Sequence, residues 1–502
     1  QSGEEIQYAP SPLNLTELDA SATVLTFGWD EPAEATHKYR AALFTDKEGE
    51  PVQQSPEFTL DAKFPAPIFT FGGLEPSTTY QLAVQTISTT DGVEDSPYVF
   101  LESRTPAAQT AAPGALVSMR FDRLKWCGDH LLKAYGLRPA SVGGTIAPDA
   151  VADALTNANT GGSSDVFNTH SDAFRADRGV SGWYGLRAYE YPGYIKLGTA
   201  SKAGFLVTPK LSGLSQPTDV RISFRLGNWN EPNADGSVFT VDKAVIRVGI
   251  VPENVTDANL KSYADGYTLT TNIPFTADEA PVSATPQTWT DVSFEVPAVK
   301  PTDRLIIYAT VDGTEKGGKA RYEVDDIEVV PSSVKPVTVV FEEPFDWVNT
   351  SVDWANKLEA YKDNWAVFDG RVYAKYHCLQ FGTGSYEAGI TTHALTELGA
   401  TPTDVTVEAQ LTGNAANKQS VYFKITGAGS FSATESMTET TVQLDGFMPN
   451  ASSGATGEGF EGWETKTLTV YGADQTTQIR LACVKVDGVT QQFWLNSFRV
   501  TK

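Results

Sequence analysis

The chain repeats itself. Pro217-Thr218-Asp219-Val220 recurs as Pro402-Thr403-Asp404-Val405, and Ile195-Lys196-Leu197-Gly198-Thr199 matches Leu379-Gln380-Phe381-Gly382-Thr383. The separations are nearly constant, 402 − 217 = 185 and 382 − 198 = 184. Around these anchors Gly182-Trp183 answers Asn364-Trp365, Thr288-Trp289 answers Gly462-Trp463, and Val311-Asp312-Gly313 answers Val486-Asp487-Gly488. The last match sets Tyr322-Glu323-Val324-Asp325-Asp326-Ile327-Glu328-Val329 against Phe493-Trp494-Leu495-Asn496-Ser497-Phe498-Arg499-Val500. Self-similarity at one long period means a structural unit used more than once. Residues 116–331 and 337–502 therefore read as two domains of one type, the first lengthened by insertions.

Both copies alternate apolar and polar residues over short runs. Val220-Arg221-Ile222-Ser223-Phe224-Arg225-Leu226, Val292-Ser293-Phe294-Glu295-Val296 and Val405-Thr406-Val407-Glu408-Ala409-Gln410-Leu411 all do so. A period of two marks half-buried antiparallel strands. Short strands broken by Gly, Pro and Asn turns predict sandwiches rather than helical or α/β folds. The 42 glycines and 28 prolines supply such turns. One helix is predicted, over Asp149-Ala150-Val151-Ala152-Asp153-Ala154-Leu155, inside the early insertion of the first copy.

The order of segments within each copy is an aromatic start (Phe121-Asp122; Phe345-Asp346), a Trp segment, a Gly-Thr strand and a closing strand. That order resembles the galactose-binding-like jelly roll of many carbohydrate-binding modules. The resemblance implies a sugar ligand. It also implies a structural Ca²⁺ between the start of the first strand and the end of the last. Hard oxygen ligands stand there: Asp122 with Asp325 or Asp326 in the first copy, and Glu342 or Glu343 with Asn496 in the second.

Residues 13–104 form a third unit. Leu74 caps a core, Pro76 fixes a corner, and Tyr80 enters the next strand with its hydroxyl able to return to the turn backbone. Leu74-x-Pro76-x-Thr78-x-Tyr80, with Trp29 upstream, resembles a fibronectin type III domain over about 95 residues. The expected fold is all-β: a fibronectin type III-like sandwich plus two tandem β-jelly-roll sandwiches. Its expected boundaries are 1–105, a linker at 106–115, 116–331, a linker at 332–336, and 337–502.

Charge excludes some functions. There are 62 acidic and 38 basic residues, for a net charge of −24. Nucleic acid is not a partner, because phosphate recognition needs basic stripes and none appear. Cys127, Cys378 and Cys483 fit neither a disulfide framework nor a metal spacing. No apolar run reaches the ~18 residues that a membrane span needs. Gln1-Ser2-Gly3-Glu4-Glu5 reads like a chain cut after an export signal. The whole layout resembles the surface lipoproteins of gut-bacterial polysaccharide-utilisation systems. That resemblance implies a monomer at the cell surface or in the periplasm, with a lipid anchor ahead of residue 1 and a polysaccharide or oligosaccharide partner.

The repeat also sorts candidate site residues. A residue in both copies belongs to the fold, which assigns Trp183/Trp365 and Trp289/Trp463 to the cores. A residue in one copy is free to serve a site. In the first copy these are Trp126, Tyr184, Tyr189, Tyr191 and Trp229. Trp229 lies among the amides of Asn228 and Asn230, which suits stacking on a sugar's C–H face with hydroxyls held alongside. Arg187, between Trp183 and Tyr189, can bind sugar hydroxyls or a uronate. In the second copy Trp347, Trp354, Tyr376 and His377 are unshared, with Trp347 and Trp354 the binding candidates. His130, His170, His377 and His393 show no ligand spacing.

One stretch also admits an enzyme, a glycoside hydrolase or lyase of a polysaccharide-utilisation system. Glu323-x-Asp325-x-x-Glu328 resembles the carboxylate spacing of the jelly-roll β-glucanases, departing from that pattern at Asp326. Retaining glycosidases need two carboxyls about 5 Å apart. On a regular strand Glu323 and Asp325 share a face and Glu328 faces the other way, unless a bulge brings it round. An adhesin or scaffold that binds protein is the third reading.

Overall fold

The computed structural model describes residues 6–32, 38–55, 57–60, 67–124, 172–232, 239–264, 273–285, 288–311, 319–345, 348, 365–375, 378–383, 386–413, 419–434, 438–447 and 463–502. The chain is all-β, and it divides into two compact units, Gln1–Lys335 and Pro336–Lys502. The predicted helix at Asp149–Leu155 falls outside the described residues.

The first unit opens with a sandwich. One sheet holds Leu13–Ser21, Val24–Asp30 and Ile68–Phe71; the other holds Gln53–Gln54, Lys38–Phe44, Thr79–Ile87 and Val99–Arg104, with Phe58–Thr59 beside Lys38–Phe44. Trp29, Tyr39, Phe58 and Phe69 fill its core, with the Trp29 and Tyr39 rings 5.3 Å apart. The tyrosine corner is formed: the Glu75 N–H donates to the Tyr80 hydroxyl at 3.0 Å.

A larger sandwich follows in the same unit. Its longer sheet runs Ala188–Tyr191, Tyr194–Leu197, Tyr322–Pro331, Thr218–Asn228, Trp289–Val299, with Val117–Met119 paired to Tyr322–Pro331. Its other sheet runs Tyr184–Leu186, Phe205–Val207, Arg304–Val311, Ala244–Val251, Ala280–Pro281. The alternation predicted from sequence sends Val220, Ile222, Phe224 and Leu226 into the core between them. Segment 106–115, expected as a linker, is anchored at its end. The Ala112 N–H donates to the Glu328 carboxylate, and the Leu116 N–H to the Val329 carbonyl at 2.8 Å.

The second unit rebuilds that sandwich strand for strand. Its longer sheet runs Val372–Lys375, Cys378–Phe381, Phe493–Thr501, Thr403–Gly413, Glu464–Ala473, with Val339–Glu343 on Phe493–Thr501. Its partner runs Trp365–Gly370, Ala388–Thr392, Gln478–Cys483, Gln419–Thr426, Thr441–Phe447. Trp183 and Trp365 are buried as expected, each against the aromatic start of its copy, with Phe121–Trp183 and Phe345–Trp365 both 6.2 Å apart.

Two irregularities recur in both copies. The chain changes sheets at Arg187 and at Arg371, where the preceding Gly370 has φ 72° and Arg187 itself φ 56°. Each crossing is tied the same way: Gly198 N–H to the Arg187 carbonyl at 2.8 Å, and Gly382 N–H to the Arg371 carbonyl at 2.7 Å. The closing strand also carries a bulge. Ser223 pairs with Glu328 and Arg225 with Asp325, so the closing strand spends one extra residue there, and Asp326 adopts φ 52°. The second copy shifts at the same point, with Gln410 opposite Ser497 and Leu411 opposite Leu495.

The bulge corrects the expectation for Glu328. Tyr322, Val324, Ile327 and Val329 enter the core, so Glu323, Asp325 and Glu328 all leave it on the other face. A regular strand would have put Glu328 with the core residues.

Candidate functional site

The outer face of the longer sheet in the first unit concentrates chemistry. Register places Tyr189 beside Lys196, Lys196 beside Glu323, Glu323 beside Gly227 and Gly227 beside Trp289, in one row across five strands. Gly227 is what lets the row close up. A Cβ there would stand 3.0 Å from Glu323 Oε2 and 3.1 Å from Trp289 Cη2. One step along, Asp325, Arg225 and Asp291 form a second row.

Aromatic rings surround the first row. Tyr189, Tyr191, Tyr194 and Trp229 cluster together, and Trp289 packs against them. Tyr194 meets Trp289 edge-on at 5.4 Å, and Tyr191 meets Trp229 edge-on at 6.2 Å. Lys196 Nζ lies 4.5 Å from the Tyr189 ring centre and 4.7 Å from that of Trp229. Arg321 covers Trp229 at 5.3 Å while holding the Asp242 carboxylate with two nitrogens, at 2.6 and 3.0 Å. Cations seated on ring faces in a desolvated setting stabilise both partners. The interior of the cluster is closed: Trp229 is 3% exposed and Glu323 0%. Its open side is Trp289, half-buried, beside Arg225 with 44% of its side chain exposed and 5.1 Å from the indole.

The structure thus gathers Tyr189, Tyr191 and Trp229 from the sequence candidates. Trp229 is not a loop tip: it lies between the Thr218–Asn228 and Asn230–Pro232 strands, packed and buried. Asn228 is also turned inward. Its Nδ2 donates to the carbonyls of Ser283 and Thr285 at 2.7 and 2.6 Å, and its Oδ1 accepts the Thr288 N–H at 3.3 Å. It pins the segment that leads into Trp289. The Asn230 backbone lies in a strand, and its side chain is outside the described residues, as are Trp347, Trp354, Trp126, Tyr376 and His377. Tyr184 is elsewhere, on the other sheet, 6.1 Å from Phe205. Arg187 is buried at the sheet crossing and donates to the Ala203 carbonyl at 3.4 Å. Its counterpart is Arg371, so it belongs to the shared scaffold.

Sequence reasoning missed Tyr194, Lys196 and Trp289. Trp289 was assigned to the core because Trp463 matches it; both are half-buried, and Trp289 lies on the outer face. The signal was present in Tyr189-x-Tyr191 and Tyr194-x-Lys196, where alternation puts all four side chains on one face of a hairpin.

The acidic corner at the bulge is balanced by arginines. Arg120 lies 3.3 Å from Glu328 and 3.8 Å from Asp326; Arg225 lies 4.0 Å from Asp325 and 3.8 Å from Asp326. Burial first, then the Asp326 charge, pushes the Asp325 carboxyl well above its usual range. Burial likewise raises Asp326 and Asp122. Ca²⁺ is the expectation for Asp122, Asp325 and Asp326. Guanidinium groups already face Asp325 and Asp326, and among the described residues no three His, Cys, Asp or Glu side chains are grouped to hold a metal.

Glu328 is committed to structure, accepting from both the Ala112 N–H and Arg120. Among the described residues no helix is long and apolar enough to cross a membrane.

No family model matches the chain, and no curated protein matches it. Solved structures with similar architecture include the N-terminal CBM22-1–CBM22-2 tandem domain of Paenibacillus barcinonensis Xyn10C, at 12% identity and a TM-score of 0.19, covering 64% of this chain and 91% of that one. The CBM22-1 xylan-binding domain of the same protein matches at 14% identity and a TM-score of 0.19, covering 31% and 85%. The fn3 domain of human collagen alpha-1(XX) matches at 18% identity and a TM-score of 0.17, covering 23% and 100%.

Proposed function

We propose that this protein binds polysaccharide without cleaving it, at the bacterial cell surface, through the outer faces of its two longer sheets. One observation carries the reading. In both copies a half-buried tryptophan, Trp289 at the start of its strand or Trp463 just before the matching strand, accompanies a polar row, Arg225 with Asp325 or Gln410 with Asn496. A sugar needs that combination: an aromatic surface for its C–H face and polar groups for its hydroxyls.

Affinity electrophoresis in gels containing xylan, other plant polysaccharides and host glycans tests it. The wild type is expected to be retarded in at least one gel, with Trp289→Ala and Trp463→Ala each reducing the retardation and the double variant abolishing it. Unchanged mobility of the double variant in a retarding gel would overturn the site. Retardation in no gel would favour the adhesin reading.

The bulge keeps a second reading in play, since it brings Glu323, Asp325 and Glu328 to one face. Reducing-sugar release by the wild type that disappears in Glu323→Gln would establish hydrolysis.

A further inference from the structure

The hairpin Ala188–Tyr191/Tyr194–Leu197 carries Tyr189, Tyr191, Tyr194 and Lys196, and its turn is Pro192-Gly193. Pro followed by Gly suits a type II turn, and Gly193 has the positive φ that turn requires, 76°. The tip is not free. A Cβ on Gly193 would stand 2.8 Å from Cγ2 of Val24, the first residue of a strand in the N-terminal sandwich. The Gly193 N–H donates to the Leu124 carbonyl at 3.0 Å. Next to Val24, Thr23 is buried and its hydroxyl donates to Asp122 at 3.4 Å, while its carbonyl accepts the Leu74 N–H at 3.0 Å. A fibronectin-like domain used as a spacer would not lean on another domain's hairpin.

We propose that the N-terminal sandwich is a positioning element: the Ser21–Val24 turn clamps the tip of the hairpin and so fixes Tyr191, Tyr194 and Lys196 in the outer-face cluster. Val24 and Gly193 are the positioning residues. Closely packed interfaces of this kind are stiff, so the loss of one methyl contact is felt along the strand. The consequence for ligand rests on the polysaccharide reading; the clamp itself does not.

The test uses the full chain with Val24→Ala, Gly193→Ala and the double variant. Gly193→Ala adds a methyl into Val24, and Val24→Ala makes room for it, so the clamp predicts partial rescue in the double variant. Gly488→Ala, with φ 81° and nothing within 4 Å of the added Cβ, reports the backbone strain alone. Leu43→Ala, in the N-terminal core away from the turn, reports simple destabilisation. Hydrogen exchange of amides 188–197 is expected to quicken several-fold in Val24→Ala and Gly193→Ala, less in the double variant, and not in Leu43→Ala or Gly488→Ala. Gel retardation is expected to follow the same order. Unchanged exchange in Gly193→Ala, additive effects in the double variant, or equal quickening in Leu43→Ala would overturn the clamp. Altered exchange in a protein that no gel retards would leave the clamp standing and sink the polysaccharide reading instead.

Discussion

The two outer faces share a frame and differ in charge. Across the first, the row reads Tyr189, Lys196, Glu323, Gly227; across the second, the same register reads Tyr373, Gln380, Trp494, Thr412. Beside it, Arg225 with Asp325 becomes Gln410 with Asn496, whose amide donates to Gln410 at 2.9 Å. In these two rows each acidic or basic side chain of the first copy has a neutral counterpart in the second, whereas at the strand's far end Glu328 with Arg120 becomes Arg499 with Glu342. The closing strands have the same burial pattern, residue by residue from Tyr322 and from Phe493. The fold therefore fixes where side chains stand and leaves their chemistry open, which is how one sandwich can serve two ligand surfaces.

The largest break in this comparison comes from exchanging residues between copies. Lys196→Gln removes the cation that register places beside the fully buried Glu323 and should destabilise the first unit by ~3 kcal/mol, the cost of deleting one member of a buried opposite-charge pair. Gln380→Met, which removes the matching amide without leaving a charge behind, should change the second unit far less. Denaturant titration of each variant checks both; equal losses would erase the distinction.

A smaller effect of opposite sign is expected at the bulge. The carboxyls of Asp325, Asp326 and Asp122 are raised by burial, so the folded state holds their protons more tightly than the unfolded chain. Their contribution is fully present below the unfolded value of about 3.9 and is lost as pH climbs through the raised folded values. Asp325→Asn, which installs the second copy's residue, should raise the melting temperature at neutral pH and flatten its fall between acid and neutral pH. A melting curve against pH that Asp325→Asn leaves unaltered would remove this account.

Salt should separate the faces more gently. With Trp463→Ala, retention depends on the charged face and should weaken with added NaCl; with Trp289→Ala it depends on the neutral face and should not. Gels run across a salt series decide. Least of all should chelation matter: with arginines already on the acidic corner, EGTA against CaCl₂ should leave the melting temperature unmoved, and a clear Ca²⁺-dependent rise would restore the metal.

The repeat, the period-two strands and the tyrosine corner at Tyr80 were legible because each is local or periodic. The bulge was not, since it exists only relative to Thr218–Asn228, a partner some hundred residues away. Trp289 misled for a different reason: a residue shared between copies can serve a shared surface as well as a shared core. Arg187 reads in sequence as a sugar-binding guanidinium between Trp183 and Tyr189, because its match to Arg371 appears only once the sheet crossings are superimposed. The copies drift in spacing before that point. Phe121 to Phe345 spans 345 − 121 = 224 residues but Trp183 to Trp365 only 365 − 183 = 182, so an extra 42 residues lie between the first two markers of copy one.

Two sandwiches of one topology in a single polypeptide invite mispairing while the chain folds, since either closing strand matches either sheet in length, burial and bulge. Placed in the first sheet, Phe493–Thr501 would set Trp494 against Lys196 and Asn496 against Arg225, costing Lys196 the carboxylate beside it and leaving Arg225 only Asp291. Placed in the second, Tyr322–Pro331 would press Glu323 between Gln380 and Thr412 with no cation to meet it. The difference in charge thus makes each swapped pairing less favourable than the native one.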